Sequence, residues 1–313
     1  MRFLVPSEYD GKALLEFIRN YCQVSRSALI KLKKLPLGIT VNGSHATVRA
    51  VVKNGDEVVL QLEDREEDVN PYVDNIGEMP EILYEDDAVI AVNKPPFMPT
   101  HTSYLHRDDA LSNAVCLYMK NKGEHFVFRA VNRLDRDTSG VVLIAKNRLY
   151  SSKLSKSLEN GEFRKTYIAI LDGRVNERGR IEGYIRREGE SIVKRVFENE
   201  ISEGADYSVT EYKMLSCSEN HSLVQAFPIT GRTHQLRLHF ASLGASICGD
   251  TMYGFESELI DRHALHAYSL SFPSPIDNKI ITVRARLPED MKITAEALSL
   301  DIPDEITDER KES

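Results

Sequence analysis

Residues 132–145 read Asn132-Arg133-Leu134-Asp135-Arg136-Asp137-Thr138-Ser139-Gly140-Val141-Val142-Leu143-Ile144-Ala145, a crowded polar turn that opens directly into five apolar residues. A short continuous apolar run bounded by turn residues is the pattern of a buried strand, and it falls far short of the roughly 20 residues a spanning helix needs. Working outward, strand-like runs recur at residues 88–92, 166–171, 209–214, 223–229, 265–272 and 280–286. Helical patterns are fewer: residues 110–120, capped by Asp109, and residues 149–158, closed by Gly161. Strands outnumber helices and do not alternate with them. That predicts an α+β fold with a large mixed β-sheet and flanking helices, rather than a doubly wound parallel sheet.

The first 62 residues predict a separate small α/β domain. Leu14, Leu15, Ile18 and Cys22 follow helical spacing, and a second helix starts after Ser25, capped by that hydroxyl, with Ala28, Leu29 and Leu32 on one face and its lysines outward. Residues 39–41 lead into the tight-turn pair Asn42-Gly43, and residues 47–52 and 58–62 alternate like strands. Residues 63–82 read as an acidic linker, 83–287 as the main domain, and 288–313 as an acidic, loosely held tail.

The chain has 313 residues, 42% of them apolar and 28% charged, which excludes collagen-like and wholly disordered classes. The N-terminus lacks a secretory apolar region, so a cytoplasmic location with no membrane partner is expected. Four scattered cysteines, Cys22, Cys116, Cys217 and Cys248, fit neither a zinc ribbon nor a redox pair and are expected as buried free thiols. The net charge is −8, but its distribution is uneven. Residues 1–62 carry +4, residues 63–87 carry −10, residues 88–286 carry +4 and the rest carries −6. A local basic face, not the net charge, is what meets phosphate, so an RNA partner remains open.

Two stretches could carry chemistry. In the first, Asp135 is flanked by Arg133 and Arg136, and a nearby opposite charge favours an ionised carboxylate able to act as nucleophile or base. An exposed turn with surface ion pairs is the bland alternative, and composition alone favours it. The second, residues 230–244, predicts a short helix over 234–243 with Thr233 as its cap and Gly244 as its stop. There Arg237 shares a face with His234 and Ala241, and Leu236, Phe240 and Leu243 share another. His234 and His239 are five apart, which does not align two ligands on one helix face, so no metal is expected. Asn93-Lys94-Pro95-Pro96 reads as a rigid turn, and Tyr104, Tyr167, Tyr184 and Tyr207 read as ordinary packing residues.

The polar stretch 132–140 nevertheless resembles the signature of RluA-type RNA pseudouridine synthases, usually His-Arg-Leu-Asp, two residues, then Thr-Ser/Thr-Gly. Asn93-Lys94-Pro95, Lys165-Thr166-Tyr167, residues 231–239, Gly249-Asp250 with Tyr253-Gly254, and Leu265-His266-Ala267 are similar to that family's other blocks, in the same order. Val24-Ser25-Arg26-Ser27, Val41-Asn42-Gly43 and Gly55-Asp56 resemble a ribosomal-protein-like RNA-binding domain that often precedes it. Two departures are visible: Asn132 stands where histidine is usual, and Leu35-Pro36-Leu37-Gly38 alters the usual helix-to-strand join.

The resemblance implies an isomerase that converts uridines of structured RNA, ribosomal or alternatively transfer RNA, to pseudouridine. It implies Asp135 as the catalytic aspartate, Arg133 as the group filling the gap left by the flipped uridine, Tyr167 stacking on the uracil, and Arg237 pairing with the catalytic carboxylate. Arg26, Lys31, Lys33 and Lys34 are the RNA-binding residues expected of the small domain. No cofactor or metal is expected, because the reaction is neither redox nor hydrolytic, and nothing in the sequence suggests more than a monomer. Whether Asp135 attacks C1′, adds to uracil C6 or abstracts a sugar proton is open at this point. Two rivals are a degenerate, non-catalytic RNA-binding domain and a Mg²⁺ nuclease built on Asp135 and Asp137; the joint presence of Asp135, Tyr167 and Arg237 weighs against the first, and the neighbouring arginines against the second.

Overall fold

A computed structural model of the chain describes residues 1–24, 26–61, 79–189, 191, 193–304 and 306. The expected Ser25 cap, most of the acidic linker and the last residues of the tail lie outside the described residues.

The N-terminal unit contains β1 (Arg2–Leu4), α1 (Leu14–Glu16) running on as a wider π turn (Phe17–Tyr21), α2 (Arg26–Leu32), β2 (Ile39–Val41), β3 (Ser44–His45) and β4 (Glu57–Leu60). Its four strands form an antiparallel sheet in the order β1-β4-β2-β3. Asn42 and Gly43 both take positive φ, 51° and 80°, the turn geometry whose twist matches a two-residue hairpin. Phe17, Ile18, Leu29 and Leu32 bury against Val58 and Leu60. Residues 47–52, expected as a strand, form a turn with a single bridge between Ala13 and Val51. The carbonyls of Ala50 and Val48 instead accept from the amides of Leu14 and Leu15, which have no partner inside α1.

The main unit contains β5 (Ile82–Glu85), β6 (Val89–Lys94), α3 (Leu111–Asn121), β7 (Ser139–Ala145), α4 (Arg148–Glu159), β8 (Arg164–Asp172), β9 (Arg178–Arg187), β10 (Arg195–Glu198), β11 (Asp206–Cys217), β12 (His221–Pro228), α5 (Gln235–Ser242), β13 (Ser246–Ile247), β14 (Leu265–Pro273), β15 (Ile280–Arg284) and α6 (Glu289–Ala297). Its sheet runs β10-β9-β11-β12-β8-β14-β7-β6-β5, with β13 beside β8 and β15 beside β14. Among the described residues only β14 and β7 pair in parallel, so the sheet is mixed, and the α+β reading holds. The apolar run of β7 is continuous because both of its faces are covered. Val142 and Ile144 face Val115 and Met119 of α3, while Val141, Leu143 and Ala145 join Leu154 of α4 in a second cluster. Gly140, at φ +115°, lies where a Cβ would stand 2.2 Å from the Ala267 carbonyl oxygen, so the parallel contact itself demands glycine.

Local readings needed correction. The Asp109 carboxylate bonds His106 Nδ1 at 2.6 Å instead of capping α3, whose start is held by Asn113 Oδ1 accepting from the Ala110 amide at 3.3 Å. Strands β9 and β10 escaped the sequence reading because arginines and glutamates interrupt their alternation. Cys22, Cys116 and Cys248 are buried free thiols, whereas Cys217 is half-buried. No helix among the described residues is long and apolar enough to cross a membrane.

The largest difference is at the C-terminal end. Residues 289–297 are not loose: Met291 and Ala295 of α6, with Leu300, bury in the cluster that holds Ile170 and Phe240. Asp290 clamps the buried Arg262 at 2.7 and 3.0 Å. The outward acids of α6 masked this helical spacing. Leu149 of α4 joins the apolar cluster of the N-terminal unit, and Ser152 Oγ donates to the Gln23 carbonyl at 3.3 Å, so the two units are packed together. Met291→Ala is expected to destabilise the protein by about 2–5 kcal/mol, the cost of a core cavity. Urea denaturation checks this, since a loosely held segment would give under about 0.5 kcal/mol.

Candidate active site

Asp135 projects from the turn that enters β7, and that turn is held from several sides. Asn132 Nδ2 donates to the Val141 carbonyl at 3.0 Å, and its Oδ1 accepts from the Leu143 amide at 2.8 Å. The amide that departs from the family histidine therefore acts as a rung alongside β7. Thr100 Oγ1 donates to the Leu134 carbonyl at 2.9 Å, and the Thr138 amide donates to the Asp135 carbonyl at 3.2 Å. Thr138 Oγ1 also meets His263 Nε2 at 2.7 Å.

Lys94 proves to be the end of β6, not part of a turn, and it is fully buried. Its ammonium donates to the carbonyls of Pro95, Met98 and Arg136 at 2.9, 2.8 and 2.9 Å, using all three protons. Burial pushes Lys94 down to about 7, while the charges of Asp135 and Asp137 pull the other way. An apolar strand that ends in lysine before two prolines is the available signal, which the reading of residues 93–96 as a rigid turn passes over.

The opposing wall is the start of α5. His234, not Thr233, precedes the helix, with φ 57° and ψ 20° in the left-handed region. Gln235 pins this turn to β11: its Oε1 accepts from Thr230 Oγ1 at 2.7 Å and from the Arg232 amide at 3.0 Å, and its Nε2 donates to the Val209 carbonyl at 2.8 Å. The helix is more buried than a basic-flanked surface helix, since Gln235, Arg237 and His239 are all inside, although Leu243 is exposed. The Tyr253 hydroxyl accepts from the Arg195 amide at 2.9 Å and shares a hydrogen bond with His234 Nδ1 at 2.8 Å. His234 Nε2 lies 3.9 Å from Asp135 Oδ2. Burial lowers the His234 pKa against the pull of Asp135, leaving the ring neutral.

Arg237 stands 3.5 Å from Asp135 Oδ2, but its principal partner is Asp250. Nε and Nη2 reach the two Asp250 oxygens at 2.7 Å each, and the guanidinium lies 5.1 Å from the centre of the Tyr253 ring. Burial pushes Asp250 up, and the Arg237 hydrogen bonds and charge outweigh it, so the carboxyl stays below its ordinary value. Asp250 is 13 residues from Arg237, and no periodicity links them; only the structure reveals the pair.

The other expected residues separate clearly. Tyr167 of β8 is half-buried, and burial together with the Asp135 charge raises its hydroxyl, so it stays neutral. Arg133 is exposed and has no carboxylate partner among the described residues, and Arg136 turns to Asp137 at 2.7 Å. The guanidinium that serves Asp135 thus comes from α5, not from its chain neighbours. Tyr104 is exposed, contrary to its packing reading. Arg26, Lys31, Lys33 and Lys34 lie exposed on and after α2, apart from this cluster. Among the described residues no group of histidine, cysteine and carboxylate side chains is placed to hold a metal.

A buried arginine shared between the buried Asp250 and the half-buried Asp135, beside a neutral tyrosine, is an arrangement able to stabilise charge developing on a bound substrate. Residues 88–242 match the family model described as RNA pseudouridylate synthase. An uncharacterized RNA pseudouridine synthase of Bacillus subtilis (strain 168), YhcT, is 33% identical over 295 residues, covering 93% of this chain and 95% of its own. The ribosomal large subunit pseudouridine synthase D of Zymomonas mobilis is 33% identical over 234 residues, covering 70% of this chain and 73% of its own. The solved structure of human RNA pseudouridylate synthase domain containing 4 shares the fold with a TM-score of 0.60 at 22% identity, covering 72% of this chain and 95% of that one. The chain belongs to the RNA pseudouridylate synthase family, in its RluA-type branch, and is an RNA-modifying isomerase.

Asp250→Asn is expected to cost about 3–5 kcal/mol, because it leaves the buried Arg237 charge uncompensated. Asp135→Asn is expected to cost under about 1 kcal/mol, since its contacts are longer and its side chain is partly solvated. Paired urea denaturation of the two variants checks the contrast.

Proposed function

We propose that this enzyme converts specific uridines of large-subunit ribosomal RNA to pseudouridine, with Asp135 as the catalytic group. The observation that carries this is the placement of the Asp135 carboxylate, 30% exposed, 3.5 Å from Arg237 and beside the neutral Tyr167. The Zymomonas relative, a ribosomal large subunit synthase, supports the choice of ribosomal over transfer RNA.

The uridine cannot turn inside a helix, so it leaves its stack at a cost of a few kcal/mol. Arg133, exposed at the turn, fills the vacancy, and Tyr167 stacks on the extruded uracil. The N1–C1′ bond breaks, the uracil turns, C5 bonds to C1′, the C5 proton is lost and N1 gains one, so the net change is isomerisation. Positive charge develops on the sugar as the bond breaks, and a carboxylate beside C1′ stabilises it. Arg237, anchored by Asp250, orients Asp135, and Nε2 of His234 faces the same oxygen. Tyr167, kept neutral, positions the ring and is not the base that takes the C5 proton. In the small unit, Arg26, Lys31, Lys33 and Lys34 have no carboxylate partner among the described residues and supply a salt-dependent hold on RNA phosphates.

Asp135→Asn is expected to abolish pseudouridine formation while RNA affinity stays within about twofold. Tritium release from C5-labelled ribosomal RNA measures it, and substantial residual product would refute the assignment. Replacing Lys31, Lys33 and Lys34 together with glutamine is expected to lower the slope of log Kd against log salt by about 2–3. An unchanged slope in a filter-binding titration would remove the small unit from the RNA interface.

A further inference from the structure

The β9–β10 hairpin sets two arginines face to face: Arg187 and Arg195 are direct register partners. Like charges opposite one another weaken an antiparallel pair. Among the described residues no carboxylate reaches Arg187, which is exposed. The sheet keeps this repulsion at the edge of an open cavity of about 570 Å³, formed by the hairpin, residues 203–206 and the turn 231–233. That volume lies within the roughly 300–1,000 Å³ of small-ligand sites and exceeds what a lone phosphate needs. Arg186, Arg187, Arg195 and Arg232 line it against two acids, Glu203 and Asp206, leaving a surplus of two positive charges.

Two of these arginines are held in place. Arg186 is fixed by Glu198 at 2.8 Å, and Arg232 by the Tyr207 carbonyl at 3.1 Å and by Asp206 at 3.4 Å. The cavity also shares a wall with the candidate active site. Thr233 lines it and immediately precedes His234, and the Arg195 amide starts the hydrogen-bond chain through Tyr253 to His234. His234, next in the chain to the cavity-lining Thr233, in turn faces Asp135 at 3.9 Å.

We propose that the arginine-lined cavity holds the phosphodiester and ribose of an RNA nucleotide adjacent to the target uridine, a site that rests on the synthase reading above. The two acids favour a singly charged diester over a dianionic phosphate monoester, and they offer acceptors for a ribose 2′-hydroxyl. The cavity is thus a specificity element for the strand next to the reacting base, outside the chemistry itself.

The test uses the full chain and in vitro transcribed large-subunit ribosomal RNA. Arg187→Ala is expected to raise KM about tenfold with kcat within about twofold, and to lower the slope of log Kd against log salt by about 1. Arg187→Lys is expected to restore the slope. An unchanged slope in Arg187→Ala, with the wild type active, overturns the cavity proposal alone. Uridine monophosphate is expected to compete with RNA only at millimolar concentrations; micromolar competition would mark a free-nucleotide site and overturn it too. Pseudouridine formation by the wild type in the same samples tests the underlying reading separately, since its absence counts against that reading whatever the salt slope shows.

Discussion

The buried ion pair between Arg237 and Asp250 is the constraint on which the rest of the site depends. Asp250 is 1% exposed and Arg237 7%, so both charges have lost most of their water. Coulomb attraction offsets that loss only when the geometry is good and the remaining polar atoms are satisfied. Both conditions are met: the pairing is bidentate, and Asp250 also accepts from the amides of Met252 and Tyr253 at 3.0 and 3.2 Å. With two of its nitrogens committed, Arg237 has one orientation left for the third, and that one points Nη1 at Asp135. An arginine without that partner would close on Asp135 and neutralise it. Here the fixed partner keeps Arg237 at 3.5 Å, near enough to orient Asp135 and far enough to leave its oxygens open to a substrate.

The turn that carries Asp135 is made rigid by a different device. Three carbonyls converge on the Lys94 ammonium, two from its own loop and one from Arg136. Lys94 pairs in register with Gly140, so the strand that delivers the ammonium is also the neighbour of the strand that follows Asp135. A buried cation is costly, and burial lowers its affinity for a proton; the carbonyl dipoles and the charges of Asp135 and Asp137 offset that cost. Lys94, Thr100, Asn132 and Gly140 together hold one carboxylate, and none of them need touch the substrate. Such over-determined support suits the reacting role proposed for Asp135.

The fold was legible where burial is two-sided or strictly alternating. The five apolar residues after Gly140 could be nothing but a central strand, and most strands of the main sheet could be placed in the same way. Strands β9 and β10 could not, because arginines and glutamates replace the apolar alternation that marks a strand. The helix α6 failed for the converse reason: acidic outward residues gave a helix buried on one side the look of a tail. Within the site, Asp135, Tyr167 and Arg237 were found through ordered blocks of resemblance, since each alone reads as an ordinary surface or packing residue. What no block disclosed was pairing across the chain. Asp250 for Arg237, Tyr253 for His234 and the Arg136 carbonyl for Lys94 are tertiary facts, and residue spacing carries no trace of them.

Charge segregation follows from the same logic. A chain of net charge −8 approaches a polyanion only if its acids are kept out of the contact surface. Eleven of them fall within residues 63–87, away from α2 and from the turn 231–233 in the sequence. Those acids that are placed near the core are already occupied: Glu85 takes Lys122, Lys146 and the Tyr118 hydroxyl, each at 2.7 Å, and these contacts outweigh burial to hold it at about 2. Asp290 is taken by Arg262, and Asp250 by Arg237. Arg133 beside Asp135 and Arg187 at the hairpin are exposed and have no carboxylate partner among the described residues. Arginines so placed stay available to an approaching RNA chain, the use proposed for both above.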